Sequence, residues 1–304
     1  MRKKRIILLI GAGASYGAGS VLPERPPLGN QLFNELVRLF PNSWALIPDD
    51  LQIIFKSNFE TGMKVIWENY SSNVASLMLD MSEYFIQFRP VNNTSLYCKL
   101  ASFLRFQENL ESITFVSLNY DIILELSLVN NGFNINYFPT NQPQENEISV
   151  LKIHGSSNFI TTGVTGSKDI SYGAGATFNG GIKATLDTNE ILENNLVKSG
   201  IAPVMSLYME GKPINVSPNA LKEIQKNYIF QASQSDIAIV IGVKPLKHDD
   251  HIWNPLINSI CKIYYVGSIT DFIFFKDNNR DANHIGEYFN SSFTNIKKII
   301  NANY

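Results

Sequence analysis

Two cysteines in 304 residues are too few for a disulfide framework or a four-thiolate zinc site. Cys98 and Cys261 therefore read as core thiols in a chain suited to a reducing cytosol. Charge of one sign is not in excess: 25 Lys and Arg stand against 27 Asp and Glu, a net charge of −2. No basic tract follows Met1–Arg5, so nucleic acid is not an indicated partner. Long apolar runs are missing as well. The strictly apolar part of the N-terminus, Ile6–Ile10, falls short of the roughly 7–15 residues of a signal-peptide core. Nothing approaches membrane-spanning length, and the expectation is a cytoplasmic chain with no membrane partner. Histidine is scarce, with four in the chain.

What is present begins with Arg5-Ile-Ile-Leu-Leu-Ile-Gly-Ala-Gly-Ala-Ser15. A short apolar run ended by glycine reads as a strand buried on both faces of a parallel sheet. Gly11 and Gly13 allow a tight turn and close approach of backbone to a bound group, with N–H groups free to face a phosphate. The dinucleotide fingerprint Gly-x-Gly-x-x-Gly needs a third glycine where this chain has Tyr16, and an acid at the end of the second strand. Glu35, about 20 residues on, sits instead in an amphipathic stretch with Leu32, Phe33, Leu36, Leu39 and Phe40 at helical spacing. A hydride-transferring dehydrogenase is disfavoured. The glycine pair alone fits a turn without ligand equally well.

Helical patterns occupy 28–107, notably Met63–Tyr70, Val74–Phe88 and Ser95–Phe106. Buried-strand patterns follow at Ile113–Leu118, Ile148–Ile153, Ile237–Ile241 and Ile263–Val266, with helical stretches at Ile122–Val129 and Ala220–Ala232. Alternation of this kind implies an α/β fold, a doubly wound and mostly parallel Rossmann-like sheet with a helical insertion lobe. The expected layout is one domain over 1–304, with the lobe at 42–110 and a loop-rich excursion at 160–218. The aromatic tail (Tyr264, Tyr265, Phe272, Phe274, Phe275) and the Leu77–Phe88 stripe read as core.

Ligands in open α/β sheets bind beyond the carboxyl ends of the strands. Those ends bring together Gly11–Ser15, Ser117-Leu-Asn-Tyr-Asp121, His154-Gly155 and Gly242-Val243. Singly, each has a plain explanation: His154 as a buried ring satisfied by a backbone carbonyl, Asn119 and Asp121 as turn or capping residues. Together they resemble the sirtuin family, whose landmarks match in order the Gly11-Ala-Gly-Ala-Ser15 start, Asn119-Tyr-Asp121, His154-Gly155 and Gly242.

That resemblance implies NAD as substrate at this cleft. It places cofactor-binding residues at Gly11, Ala12, Gly13, Ala14, Ser15, Asp121, Gly242 and Gly267, with attack at C1′ of the nicotinamide ribose. Protein-deacylating sirtuins carry a four-cysteine zinc module that two cysteines cannot build, so no zinc or other metal is expected. Leu22-Pro-Glu-Arg-Pro-Pro27 also replaces their phenylalanine-arginine turn. Set beside that family, the chain looks closer to the bacterial sirtuin-like effectors of anti-phage defence, which hydrolyse NAD with an essential asparagine and histidine. The corresponding residues are Asn119 and His154.

The resemblance therefore implies an NADase acting in abortive infection, triggered through a regulatory protein partner or a homo-oligomer. The alternatives are an NAD-dependent deacylase or ADP-ribosyltransferase, and a non-catalytic nucleotide-sensing module. A second cluster, His248-Asp-Asp-His251, reads as a solvated loop near the cofactor mouth, because four consecutive residues point in different directions and chelate poorly.

Overall fold

The computed structural model describes residues 3–107, 110–139, 144–164, 176–195, 201–246, 249–278 and 281–302. The chain opens with β1 (Ile6–Ile10), α1 (Ala12–Tyr16) and β2 (Val21–Leu22). Six helices follow: α2 (Gly29–Leu39), α3 (Pro41–Trp44), α4 (Asp49–Ser57), α5 (Phe59–Asn69), α6 (Val74–Ile86) and, after the short β3 (Arg89–Pro90), α7 (Leu96–Leu104). Then come β4 (Ile113–Ser117), α8 (Ile123–Val129), β5 (Asn134–Asn136) and β6 (Glu147–Lys152). The 160–218 stretch is not all loop: β7 (Phe159–Thr162) pairs antiparallel with β8 (Gly181–Ala184), ahead of α9 (Thr188–Glu193). Its residues 165–175 and 196–200 lie outside the described residues. The last third contains α10 (Pro218–Gln234), β9 (Ile237–Ile241), α11 (Asp250–Ile257), β10 (Lys262–Val266), α12 (Ile269–Asn278), β11 (Ala282–Gly286) and α13 (Phe289–Asn301).

Seven strands form a parallel sheet in the order β11-β10-β9-β1-β4-β6-β5. β1, β4 and β9 are buried at every residue, as continuous Val/Ile/Leu-rich runs require when helices cover both faces. The chain leaves β1 for β4 on one side and returns to β9 on the other, so β1 is the point where winding reverses. A crevice opens beyond the strand tips at such a reversal. Register aligns the tips themselves, with Ile10 opposite both Ser117 and Ile241. The glycine turn, the Asn119 segment and Gly242 therefore emerge side by side.

Two sheet strands escaped the sequence patterns. β5 and β11 are edge strands, incompletely buried and rich in Asn, His and Gly, so neither alternation nor an apolar run marks them. The helices between β1 and β4 pack around an aromatic cluster in which Phe33 stacks on Phe55 at 4.9 Å and Trp44 meets both. Glu35 lies within α2 and pairs with Arg38 at 2.5 Å, away from any strand tip.

Candidate active site

The turn after β1 is locked to the tip of β9. Gly11 N–H donates to Ile241 O at 3.0 Å and Gly13 N–H to Gly242 O at 2.9 Å. A Cβ on Gly11 would fall 2.6 Å from Gly242 O, and one on Gly242 would fall 2.0 Å from the Ala14 nitrogen. Gly242 also has φ +65°, a conformation side chains disfavour. These glycines thus serve a backbone crossing. With Ala14 N–H bonded to Gly11 O at 2.9 Å, three of the amides expected to face a phosphate are occupied by protein carbonyls. Exposed Ala12 remains at the surface of the turn. Gly242→Ala should cost at least about 2 kcal/mol through overpacking and left-handed strain, read as a fall in the midpoint of thermal or urea unfolding. An unchanged midpoint would show that the crossing tolerates a side chain.

Asn119 stands two residues past β4, where Leu118 N–H still bonds Ile10 O at 2.9 Å. Its Nδ2 donates to Gly11 O at 3.0 Å and to Ser15 Oγ at 2.9 Å. Both amide protons are then in use, and only the Oδ1 acceptor is left to orient a ligand hydroxyl or a water. Ser15 Oγ also lies 3.2 Å from Tyr97 OH. Asp121 Oδ1 accepts from Ile123 N–H at 3.1 Å. Burial pushes the Asp121 carboxyl above the usual range and Glu125 adds to this, whereas Lys152, the Ile123 N–H and Ser15 oppose it. Lys152, fully buried, donates to Asp121 O at 2.6 Å and ion-pairs with the equally buried Glu125 at 2.8 Å.

His154 follows β6 and is 4% exposed. Its Nε2 lies 2.9 Å from Nε2 of His251. Burial holds the ring well below the usual imidazole range, Lys212 and His251 push the same way, and a hydrogen bond to the Leu118 backbone acts against them. Lys212 itself pairs with Glu60 and lies 4.8 Å over the Tyr208 ring. The 249–251 stretch is not a solvated loop. Asp249 is buried, α11 begins at Asp250, and His251 meets His154; His248 lies outside the described residues.

A cavity opens beside the turn, with Ala12, Ser15, Asn119 and Asp121 on its polar side and Phe85, Tyr120 and Tyr208 on its aromatic side. Pro26 and Pro27 close it from the loop before α2, and Leu118 lines it directly. It is tight, about 60 Å³, against several hundred for a pocket that seats a drug-sized ligand. The expected residues thus divide. Ala12, Ser15, Asn119 and Asp121 share the cavity. His154 reaches its wall only through Leu118. Gly11, Gly13 and Gly242 underpin the turn. Gly267, on the tip of β10, bonds Gly286 O through its N–H at 3.0 Å and does not line the cavity. Tyr97, Tyr208 and Lys152 were not singled out from sequence for this site, and His251 was noted only as part of a solvated loop near the cofactor mouth. Lys152 carried a signal of its own, a lysine set between Leu151 and Ile153 at the buried end of its strand.

No family model matches this chain, and no curated protein does. Solved structures do, and Sir2 proteins are among them. A structure reported on the mechanism and regulation of Sir2 enzymes matches at 13% identity over 99% of this chain and 93% of its own, with a TM-score of 0.49. A Sir2 homologue bound to NAD matches at 12% over 99% and 90%, with a TM-score of 0.47. A Sir2 homologue variant bound to ADP-ribose matches at 13% over 99% and 92%, with a TM-score of 0.48. What the site does must come from its own residues. Cys98 and Cys261 are buried on different elements, α7 and the approach to β10. Among the described residues no three His, Cys, Asp or Glu side chains are placed to hold a metal ion. No helix among them is long and apolar enough to cross a membrane.

Proposed function

We propose that this chain hydrolyses NAD to ADP-ribose and nicotinamide, as a sirtuin-like effector of anti-phage abortive infection. The observation that carries the reading is Asn119, whose carboxamide binds the first turn at Gly11 O and Ser15 Oγ inside one cavity with Asp121. The aromatic side formed by Phe85, Tyr120 and Tyr208 suits a flat heteroaromatic ring, and the Asp121 carboxylate suits its amide N–H. The diphosphate would lie outward across Ala12–Ser15, with Gly11 and Gly13 shaping that turn and Gly242 and Gly267 along the path of the remaining nucleoside.

The bond itself sets the chemical demand. Nicotinamide leaves a cationic ring as a neutral base, so the leaving group needs no acid. The transition state is an oxocarbenium-like sugar. The site must place a water, remove its proton and tolerate positive charge on the ribose. Asn119 Oδ1 can accept from the water or a ribose hydroxyl, buried Asp121 supplies negative charge, and His154 belongs to the group that handles the proton.

An unrestrained NADase would poison its own cell. The tight cavity supports an enzyme held off until a protein partner or self-assembly opens it. One observation favours a second reading, an NAD-dependent deacylase. An apolar cavity lined by Trp67, Val74, Met78, Met205 and Leu207 abuts the Tyr208 wall through the 205–208 segment, and could take an acyl chain.

Incubation of the protein with NAD, with and without an acyl-lysine peptide and with proteins encoded beside its gene, separates these readings by chromatography of the products. Free ADP-ribose without peptide is the expected result. Strict peptide dependence would establish the deacylase instead, and intact NAD under every condition would leave only a sensing module.

A further inference from the structure

Four polar side chains, Ser15, Tyr97, Asn119 and Asp121, meet at the first turn, and their protons can be assigned by counting donors and acceptors. Asn119 Nδ2 can only donate, and it does so to Ser15 Oγ at 2.9 Å. Tyr97 OH lies 3.2 Å from the same oxygen and is 1% exposed. Among the described residues, Ser15 is its one hydrogen-bond partner. Were Ser15 the donor, the phenol proton would be buried without an acceptor, which is costly. Tyr97 therefore donates. Ser15 then accepts twice, both its lone pairs are used, and its own proton goes to the Asp121 carboxyl it hydrogen-bonds.

We propose that Tyr97 is a positioning residue of this site: by donating to Ser15 it turns the Ser15 proton onto the Asp121 carboxylate. The reading rests on the NAD hydrolysis proposed above. Ser15, Asn119 and Asp121 all line the cavity, and Tyr97 acts through them from behind. Donation into Ser15 Oγ polarises the outgoing O–H, which strengthens its bond to Asp121 and favours the ionised carboxyl. An ionised Asp121 is what a positively charged ribose needs beside it, so Tyr97 governs how far down in pH the site keeps that charge.

The fold aims the phenol at the turn. Leu96 N–H donates to Ala18 O at 2.6 Å, tying the first residue of α7 to the segment after α1. The Tyr97 ring meets Phe289 of α13 edge-on at 5.6 Å. Burial holds the phenol well above its usual range and the Asp121 charge adds to this, so the donor keeps its proton. The charged groups that face Asp121 are Lys152 of β6, which lowers its pKa, and Glu125 of α8, which raises it.

Tyr97→Phe keeps the ring against Phe289 and deletes the donor. It should lower kcat about tenfold, leave KM within about threefold, and move the acid limb of NAD cleavage to higher pH. The direction follows from the carboxyl: a weaker bond from Ser15 raises its pKa, and the charged form is lost sooner as pH falls. Ser15→Ala orphans the buried Tyr97 proton, so adding Tyr97→Phe to it should raise the melting temperature and cost no further kcat. Losses in kcat that multiply across the two variants overturn the assignment, as does full kcat with an unmoved limb in Tyr97→Phe. The readout without NAD is the carbon-13 titration of the Asp121 carboxyl in the ligand-free protein, identified by its disappearance in Asp121→Asn. Its midpoint should rise in Tyr97→Phe, and an unmoved midpoint overturns the proton order. A wild-type protein that cleaves no NAD while that midpoint moves sinks the NAD reading and leaves the network established.

Discussion

Replacing Asn119 by Ala should reduce kcat for NAD cleavage by about 10²–10³-fold, the loss typical when one preorganised polar group is removed from a reacting centre. The same change leaves Gly11 O without its side-chain donor, a cost of about 1–3 kcal/mol, so the melting temperature should fall by only a few degrees. Stability and turnover thus separate. Asn119→Asp sharpens the test at constant size. A carboxylate has no proton to give Gly11 O, 3.0 Å from Nδ2 in the native side chain, and would repel it. It should therefore match or exceed the Ala variant in lost activity despite its similar shape. Ser15→Ala removes one of the two contacts and keeps the other, and should fall between. NAD affinity, followed by calorimetry, should change far less than kcat. Activity in Asn119→Ala within threefold of wild type would remove the carboxamide from the mechanism.

The sheet centre was legible because its strands announce themselves. Ile6–Ile10 and Ile237–Ile241 are unbroken apolar runs ended by glycine, Ile113–Ser117 departs from that only at Thr114 and Ser117, and burial on both faces favours such a composition. The polar side of the cavity was legible for a related reason: Ser15, Asn119 and Asp121 follow directly on strand ends. Its other side was not. Phe85, Tyr120 and Tyr208 come from a helix, a turn and a distant loop, and as aromatics they look like any core residue until the chain folds. The histidine pair spans 97 positions, and no local pattern joins them. The glycines stood out in the sequence for close approach to a bound group, and in the structure Gly11, Gly13 and Gly242 are constrained by each other's backbones.

Beneath the site, the buried Lys152–Glu125 pair offers a change that separates fold from function in the opposite direction. Lys152→Met strands Glu125 as an uncompensated charge in an environment with no solvent exposure, and should destabilise the protein by about 3–5 kcal/mol. Lys152→Met combined with Glu125→Leu removes both charges, and stability should return to within about 1 kcal/mol of wild type or above it. Activity should not return with it. The double variant still lacks the 2.6 Å bond from Lys152 to Asp121 O that fixes the segment beyond Asn119. The sign of the pH effect follows as well. Lys152 lowers the Asp121 pKa more than Glu125 raises it, so losing both lets burial push the carboxyl further up. A step that needs Asp121 charged is lost as pH falls through that pKa, and its acid limb should move to higher pH in the double variant. Unfolding midpoints and pH profiles of the two variants check both halves. Recovery of stability together with full activity and an unmoved limb would show that Lys152 and Glu125 serve only each other.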